Sequence, residues 1–299
     1  MTLLVVGSVA LDSVETPFGK ADEVIGGSGT YFSASASHQV PVRLVGVVGT
    51  DYPIDKLAPL RARGVDFTGL ETARGESFRW RGRYRHDLNS AETLETRLGV
   101  FANFQPKIPH EFRKSKYVFL ANIDPRLQLQ VLDQIESPAL VACDTMNFWI
   151  DSRRDDLIAL LKRVDLITLN DGEARQLTGA PHLVHAARWI LDRGPRYVII
   201  KKGEHGALMF TRDSVFFAPA YPLEQLFDPT GAGDSFAGGF MGWVAKTDDT
   251  SPANLRHAVV RGSAMGSFAV ERFSFDRLLE ITPADIERRV KEFHAMVAL

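Results

Sequence analysis

A single cysteine, Cys143, is all the thiol chemistry in 299 residues. It lies in the apolar run Ala139-Leu-Val-Ala-Cys143, where a buried, inert thiol is expected. A disulfide-stapled scaffold is excluded, and a reducing, cytoplasmic setting fits this usage. Long apolar runs are missing too: none approaches the roughly 18 residues that span a bilayer. The opening Met1-Thr-Leu-Leu-Val-Val-Gly7 has no basic segment of the kind that begins a signal peptide, and reads as a core strand. Neither sign of charge is in excess, with 35 Lys+Arg against 37 Asp+Glu and a net charge of -2. No overall positive field gathers phosphate backbones or anionic lipid, so nucleic acid and membrane surfaces are not the expected partners. Familiar catalytic signatures are absent as well. There is no G-x-x-x-x-G-K-S/T phosphate loop, and Phe236 stands where a dinucleotide fingerprint after Gly231-Ala232-Gly233 needs its third glycine, so hydride chemistry loses its main support. Ser8 and Ser235 sit in no nucleophile-elbow pattern. His182 and His185, three apart, lack a third ligand at metal spacing and read as surface histidines.

What remains is an average globular composition, 45% hydrophobic and 24% charged, in a chain long enough for one large or two ordinary domains. Short apolar, β-branched runs recur at Leu3-Val6, Arg43-Val47, Tyr117-Leu120, Leu140-Cys143, Asp165-Leu169 and Tyr197-Ile200. Between them lies helical spacing, as in Leu157, Leu160, Leu161 and Val164, or Leu183, Ala186, Ala187, Ile190 and Leu191. Repeated β-α-β units predict an α/β fold: an open parallel sheet with helices on both faces. One stretch breaks the rhythm. From Phe78, strict alternation puts Phe78, Trp80, Tyr84 and His86 on one strand face and Arg79, Arg81, Arg83 and Arg85 on the other. With the insertion Ser13 to Ile25, this predicts a small sheet beside the main one, a lid built at about 13–25 and 78–98. The arginine face can be read as an anion site, or else as a solvated strand face or a subunit contact.

The most informative segment is Phe227-Asp-Pro-Thr-Gly-Ala-Gly-Asp-Ser-Phe-Ala-Gly-Gly-Phe240. Pro229 and Gly231 block an earlier helix start, while small and apolar residues recur at helical spacing from Asp234. Gly231, Ala232 and Gly233 should therefore form the opening turn of a helix, its N–H groups pointing outward. Such a turn can hold a phosphoryl group, and Asp234 beside it can accept a proton from an attacking hydroxyl. The alternative is a glycine loop whose Asp only caps a helix.

The full string Asp228-Pro-Thr-Gly-Ala-Gly-Asp234 resembles the C-terminal signature of the ribokinase-like (PfkB) carbohydrate and nucleoside kinases. Other segments match in order, from Val5 to Val270. Gly26-Gly27 opens the small-residue helix Ser28 to Ser37, similar to the family's paired-glycine substrate segment. Asn170-Asp-Gly-Glu173 resembles its Asn-x-x-Glu motif, and Lys202-Gly203-Glu-His-Gly206 its nucleotide-facing glycine turn.

The resemblance implies a three-layer α/β/α fold with a central, mostly parallel sheet and a small β-sheet lid, the chain 1–299 forming a single catalytic domain. It further implies that Asp234 is the catalytic base and that Gly231, Ala232 and Gly233 form the anion hole. Asp12, Gly26, Gly27 and Tyr31 would bind substrate, and Asn170, Lys202, Gly203, Gly206 and Thr230 the nucleotide. Glu173 would hold Mg2+ through water, and Asp228 matches the carboxylate near the K+ site of members that use potassium. Arg261 to Ser267 falls on the helix that borders the adenine pocket. The expected activity is ATP- and magnesium-dependent phosphorylation of an alcohol, a hydroxymethyl, on a small sugar or nucleoside. The competing class is a catalytically silent sensor that binds the same molecules. A homodimer through the lid is expected from its exposed edges.

One position departs from the pattern. Where most sugar-using relatives carry asparagine four residues after the paired glycines, this chain has Tyr31. Its ring either borders a base, together with Phe78, Trp80 or Phe101, or packs in the core between helix and sheet. Asn122, Asp124, Asp144 and Asn147 follow core strands and are second-rank pocket candidates, with loop turns and helix caps as their other reading.

Overall fold

The computed structural model describes residues 2–85, 88 and 91–298. His86, assigned to the aromatic face by alternation, lies outside the described residues. The main sheet has nine strands, in the order β13-β12-β11-β10-β9-β8-β1-β4-β5. In chain order these are β1 (Leu3–Val6), β4 (Val42–Gly49), β5 (Val65–Ala73), β8 (Tyr117–Leu120), β9 (Leu140–Asp144), β10 (Leu166–Asn170), β11 (Tyr197–Lys201), β12 (Ala207–Phe210) and β13 (Val215–Ala218). All pairings from β11 through β5 are parallel, and β12 and β13 add antiparallel edge strands. The six runs read from the sequence are all strands; β5, β12 and β13 add to them.

The parallel strands are apolar on both faces because both are covered. Leu3, Val5, Tyr117, Phe119, Leu140 and Ala142 enter one apolar cluster, and their neighbours Leu4, Val6, Val118, Leu120, Val141 and Cys143 the other. Helices Ser28–Ala36, Ala232–Thr247 and Pro252–Ala269 cover the first face through Phe32, Phe240 and Phe268. Helices Arg154–Leu161, Asp171–Thr178 and Leu183–Leu191 cover the second through Leu157, Leu177 and Ile190. Cys143 is fully buried there, as expected. Strand order reverses at β1, which lies between β4 and β8, so the carboxyl edge beside β1 is the switch point where open α/β sheets bind ligands.

A second sheet stands at that edge, four strands in the order β3-β2-β6-β7: β2 (Ala10–Thr16), β3 (Gly19–Gly26), β6 (Phe78–Tyr84) and β7 (Ala91–Arg97). The lid expected at Ser13 thus begins at Ala10, and Asp12 lies inside its first strand instead of ending β1. Phe78 stacks on Phe101 with ring centroids 5.5 Å apart, rooting β6 in the body of the protein. Three of the four residues of the arginine face are paired, Arg79 with Glu23 (2.8 Å) and Asp51 (2.7 Å), Arg83 with Glu15 (3.2 Å) and Arg85 with Glu92 (3.2 Å), while Arg81 is exposed.

Candidate active site

Helix Ala232–Thr247 starts from Gly231, whose φ of 72° is left-handed. A side chain at Gly231 would run into the ring of Tyr31, which lies directly beneath it. The turn can therefore settle on Tyr31 only as glycine. The Ala232 N–H donates to Pro229 O (3.2 Å). Among the described residues, the N–H groups of Gly231 and Gly233 have no backbone partner. Those donors, at the positive end of a 16-residue helix, are placed to hydrogen-bond an anion. The lid reaches it as well, since the Thr230 hydroxyl donates to Tyr84 Oη at 3.4 Å.

Asp234 sits half-buried in the first turn of this helix. Desolvation, reinforced by Asp144 and opposed by Lys201, pushes its carboxyl up to about 7. A carboxylate with that pKa can take a proton from an alcohol as its O–P bond forms. Lys201, the last residue of β11, donates to Asp144 Oδ2 at 3.0 Å from the end of β9. Burial disfavours its ammonium, yet Asp144, Glu173 and Asp234 hold its pKa above the ordinary lysine value.

Glu173 and Asn170 form a reciprocal cap: the Glu173 N–H donates to Asn170 Oδ1 and the Asn170 N–H to Glu173 Oε2, both at 2.7 Å. Glu173 is only 7% exposed, so it is not a surface residue opening a helix. Burial and the Asp144 charge raise its carboxyl.

On the acceptor side, Asp12 is buried, and Oδ2 accepts the Gly27 N–H at 3.3 Å. A side chain at Gly26 would overlap the Asp12 carboxylate, and Gly27 opens helix Ser28–Ala36. Desolvation first, then Asp228 and Asp234, push Asp12 up to about 7 against the Gly27 hydrogen bond. The phenol oxygens of Tyr31 and Tyr52 are buried with no hydrogen-bond partner among the described residues, and the charge of Asp12 acts on both. Asp228 is fully buried, with Oδ1 accepting the Thr230 N–H (2.9 Å) and Oδ2 without a partner among the described residues. Desolvation raises it to about 6.

The remaining sequence candidates lie outside this group of carboxylates. Tyr31 belongs to the core, 1% exposed, its ring edge-on to Phe275 at 6.2 Å, and Phe101 stacks on Phe78 and Phe104. Lys202, Gly203 and Gly206 form a tight turn closed by Lys202 N–H to Gly206 O (2.8 Å). Of the second-rank residues only Asp144 joins Asp234. Asp124 caps helix Pro125–Leu132 and pairs with Arg126 and Arg153, while Asn147 is exposed. His182 and His185 are exposed, and no group of three or more His, Cys, Asp or Glu side chains placed to hold a metal ion occurs among the described residues. Arg261 lies in helix Pro252–Ala269, paired with Glu287 and 3.7 Å above the Trp243 ring.

Comparison with known proteins decides the lineage of this site. The family model for pfkB family carbohydrate kinase matches residues 17–280. The chain belongs to the PfkB family. A cytidine kinase of Thermococcus kodakarensis is 30% identical to this PfkB chain over 247 residues, 81% of this chain and 87% of that one. The fold recurs in a Burkholderia thailandensis nucleoside kinase solved with inosine, with a TM-score of 0.80, 20% identity and coverage of 98% of this chain and 99% of that one. It recurs too in a putative Ribokinase II from E. coli solved with ATP and Mg2+, with a TM-score of 0.78, 17% identity and coverage of 97% and 99%. This is the ribokinase fold, with its large, mostly parallel sheet and small separate lid sheet.

Motif reading passed over two residues of this PfkB site, Lys201 and Tyr84, and ranked Asp144 second. Strand parity was the available signal. Tyr197 and Ile199 on β11, like Leu140 and Ala142 on β9, face the cluster that holds helix Ala232–Thr247. Lys201 and Asp144 share that parity, whereas Lys202 has the opposite one.

Proposed function

We propose that this chain is an ATP- and magnesium-dependent kinase that phosphorylates the hydroxymethyl group of a nucleoside, acting as one catalytic domain under its lid. The observation that carries the reading is Asp234, raised to about 7, beside the free N–H groups of Gly231 and Gly233. The similarity to a cytidine kinase over most of both chains supports a nucleoside over a simple sugar.

In this reading Asp12 binds acceptor hydroxyls, held in place by the Gly27 N–H, and the orphaned phenols of Tyr31 and Tyr52 supply donors around it. Asp234 removes the proton of the acceptor hydroxyl, and the Gly231 and Gly233 N–H groups, with Ala232 shaping the turn, steady charge on the phosphoryl oxygens. Asn170, Lys202, Gly203, Gly206 and Thr230 border the nucleotide. The lid, reaching Thr230 through Tyr84, excludes water from the transfer.

The residues fit magnesium. Asp144 and Glu173 are two buried carboxylates whose charges oppose each other at the carboxyl edge, an environment that a hydrated dication relieves. Magnesium would there neutralise triphosphate charge. Asp228, fully buried with one oxygen unpartnered, fits a monovalent cation such as K+. A silent sensor would have no use for a base of raised pKa beside an anion cradle.

The test is ATP consumption by the purified protein with magnesium and potassium, against pyrimidine and purine nucleosides, ribose, fructose and inositol. Turnover confined to nucleosides is expected. Turnover of sugars alone overturns the acceptor assignment, and acceptor binding without any turnover overturns the kinase.

A further inference from the structure

Among the described residues, Lys201 is the one cation buried among the carboxylates of the site. Its side chain is 17% exposed and that of its partner Asp144 6%. Nζ lies 2.9 Å from the point where Gly233 would carry a Cβ, so the ammonium is immediately beside a residue whose N–H is unpaired. A lysine ammonium has three donors, and the single hydrogen bond found for it among the described residues goes to Asp144. Asp144 anchors it from β9, Glu173 faces it from helix Asp171–Thr178 and Asp234 from helix Ala232–Thr247. An ion pair serving only the sheet would be complete with Asp144 and would not need to project to the anion turn.

Resting on the kinase reading above, we propose that Lys201 is a catalytic residue: its ammonium, anchored by Asp144 beside Gly233, donates to the phosphoryl group in transit. In that step the acceptor O–H gives its proton to Asp234, and the acceptor oxygen bonds to the γ-phosphorus of the nucleoside triphosphate. The bond from that phosphorus to the β–γ bridging oxygen breaks, its electron pair leaving with the diphosphate. Lys201 keeps its proton throughout and neutralises charge on the equatorial oxygens, a task it shares with the Gly231 and Gly233 N–H groups. Asp144 is a positioning residue that fixes where the ammonium points.

The experiment compares the full-length protein with Lys201→Met and Lys201→Arg, using the best acceptor from the panel. It measures kcat and KM, ADP affinity by calorimetry, and binding of ADP with aluminium fluoride and acceptor as a mimic of the phosphoryl in flight. The expected result is a kcat about 10²–10³ lower in Lys201→Met, with acceptor KM and ADP affinity within about threefold. Tight binding of the aluminium fluoride complex should be lost, and Lys201→Arg should recover at least about tenfold of kcat. Lys201→Met with near-normal kcat overturns the assignment. So does an equal loss of ADP affinity and of the mimic, which would make the lysine a ground-state binding residue. If Lys201→Met fails to fold, Lys201→Gln takes its place: lower kcat and weaker fluoride-complex binding with unchanged ADP affinity support the role, and near-normal kcat and fluoride-complex affinity overturn it. Wild-type protein inert toward every acceptor overturns the kinase reading and this role together, whereas active wild type with active Lys201→Met overturns the role alone.

Discussion

Burial raises Asp12 from 3.8 to about 7, with Asp228 and Asp234 pushing the same way, and this has a sign in stability. An acid whose folded pKa exceeds its unfolded value holds its proton more tightly when native, so its contribution falls as pH rises from about 4 to about 7 and is least favourable above that. Asp12→Asn should therefore raise the unfolding temperature of the ligand-free protein at pH 8, by the equivalent of about 1–3 kcal/mol, with much less gain at pH 5. Acceptor affinity should fall in the same variant; thermal scans at both pH values and calorimetry check this. Asp234 works as a base only when ionised, and with its carboxyl near 7 the acid limb of kcat/KM should fall as pH drops through about 7. Asp234→Asn should remove that limb and lower kcat about 10²–10⁴-fold with ATP and acceptor binding nearly unchanged. Near-normal turnover in the variant would refute the base assignment.

Two elements bring these residues together, the Gly231 turn and the lid. Gly231 combines a left-handed φ with the Tyr31 ring below it. Gly231→Ala should destabilise the protein by about 1–3 kcal/mol and lower kcat more than a stability loss explains, because the free amides are displaced from the phosphoryl path. Denaturant unfolding and steady-state kinetics on one preparation separate these effects. At the lid's base, Arg79 ties Glu23 of β3 to Asp51, which follows β4, and Asp51 also accepts the Ser77 N–H at 2.8 Å. Arg79→Ala should loosen the lid, raising acceptor KM and the rate of ATP hydrolysis without acceptor. An unchanged ratio of hydrolysis to transfer would show that this ion pair has no part in closure.

The main sheet presents Asp144, Asn170 and Lys201 at the carboxyl ends of three neighbouring parallel strands, with the lid strands above, so ligands should bind the folded chain alone. ADP or acceptor alone at about 100 times its Kd should add about 2.7 kcal/mol to unfolding, and the two together more than the sum of their separate effects if the lid closes on both, read as the rise in Tm. Much of this architecture is legible in the chain itself. The β-branched runs and helical spacing between them specify strands and helices because period-two and 3.6-residue patterns are local properties, and Gly26, Gly27, Gly231 and Asp234 stand in short motifs whose backbone needs are local too. The alternation from Phe78 likewise shows the lid strand. What local pattern could not supply is which side chains meet. Tyr31 ends beneath Gly231, 200 positions away in sequence, and Lys201 rather than Lys202 reaches Asp144. Such choices depend on the face a strand turns toward a distant helix, and on carboxyl groups packed close enough to shift one another's protonation, which exist only once the sheet and its covering helices have assembled.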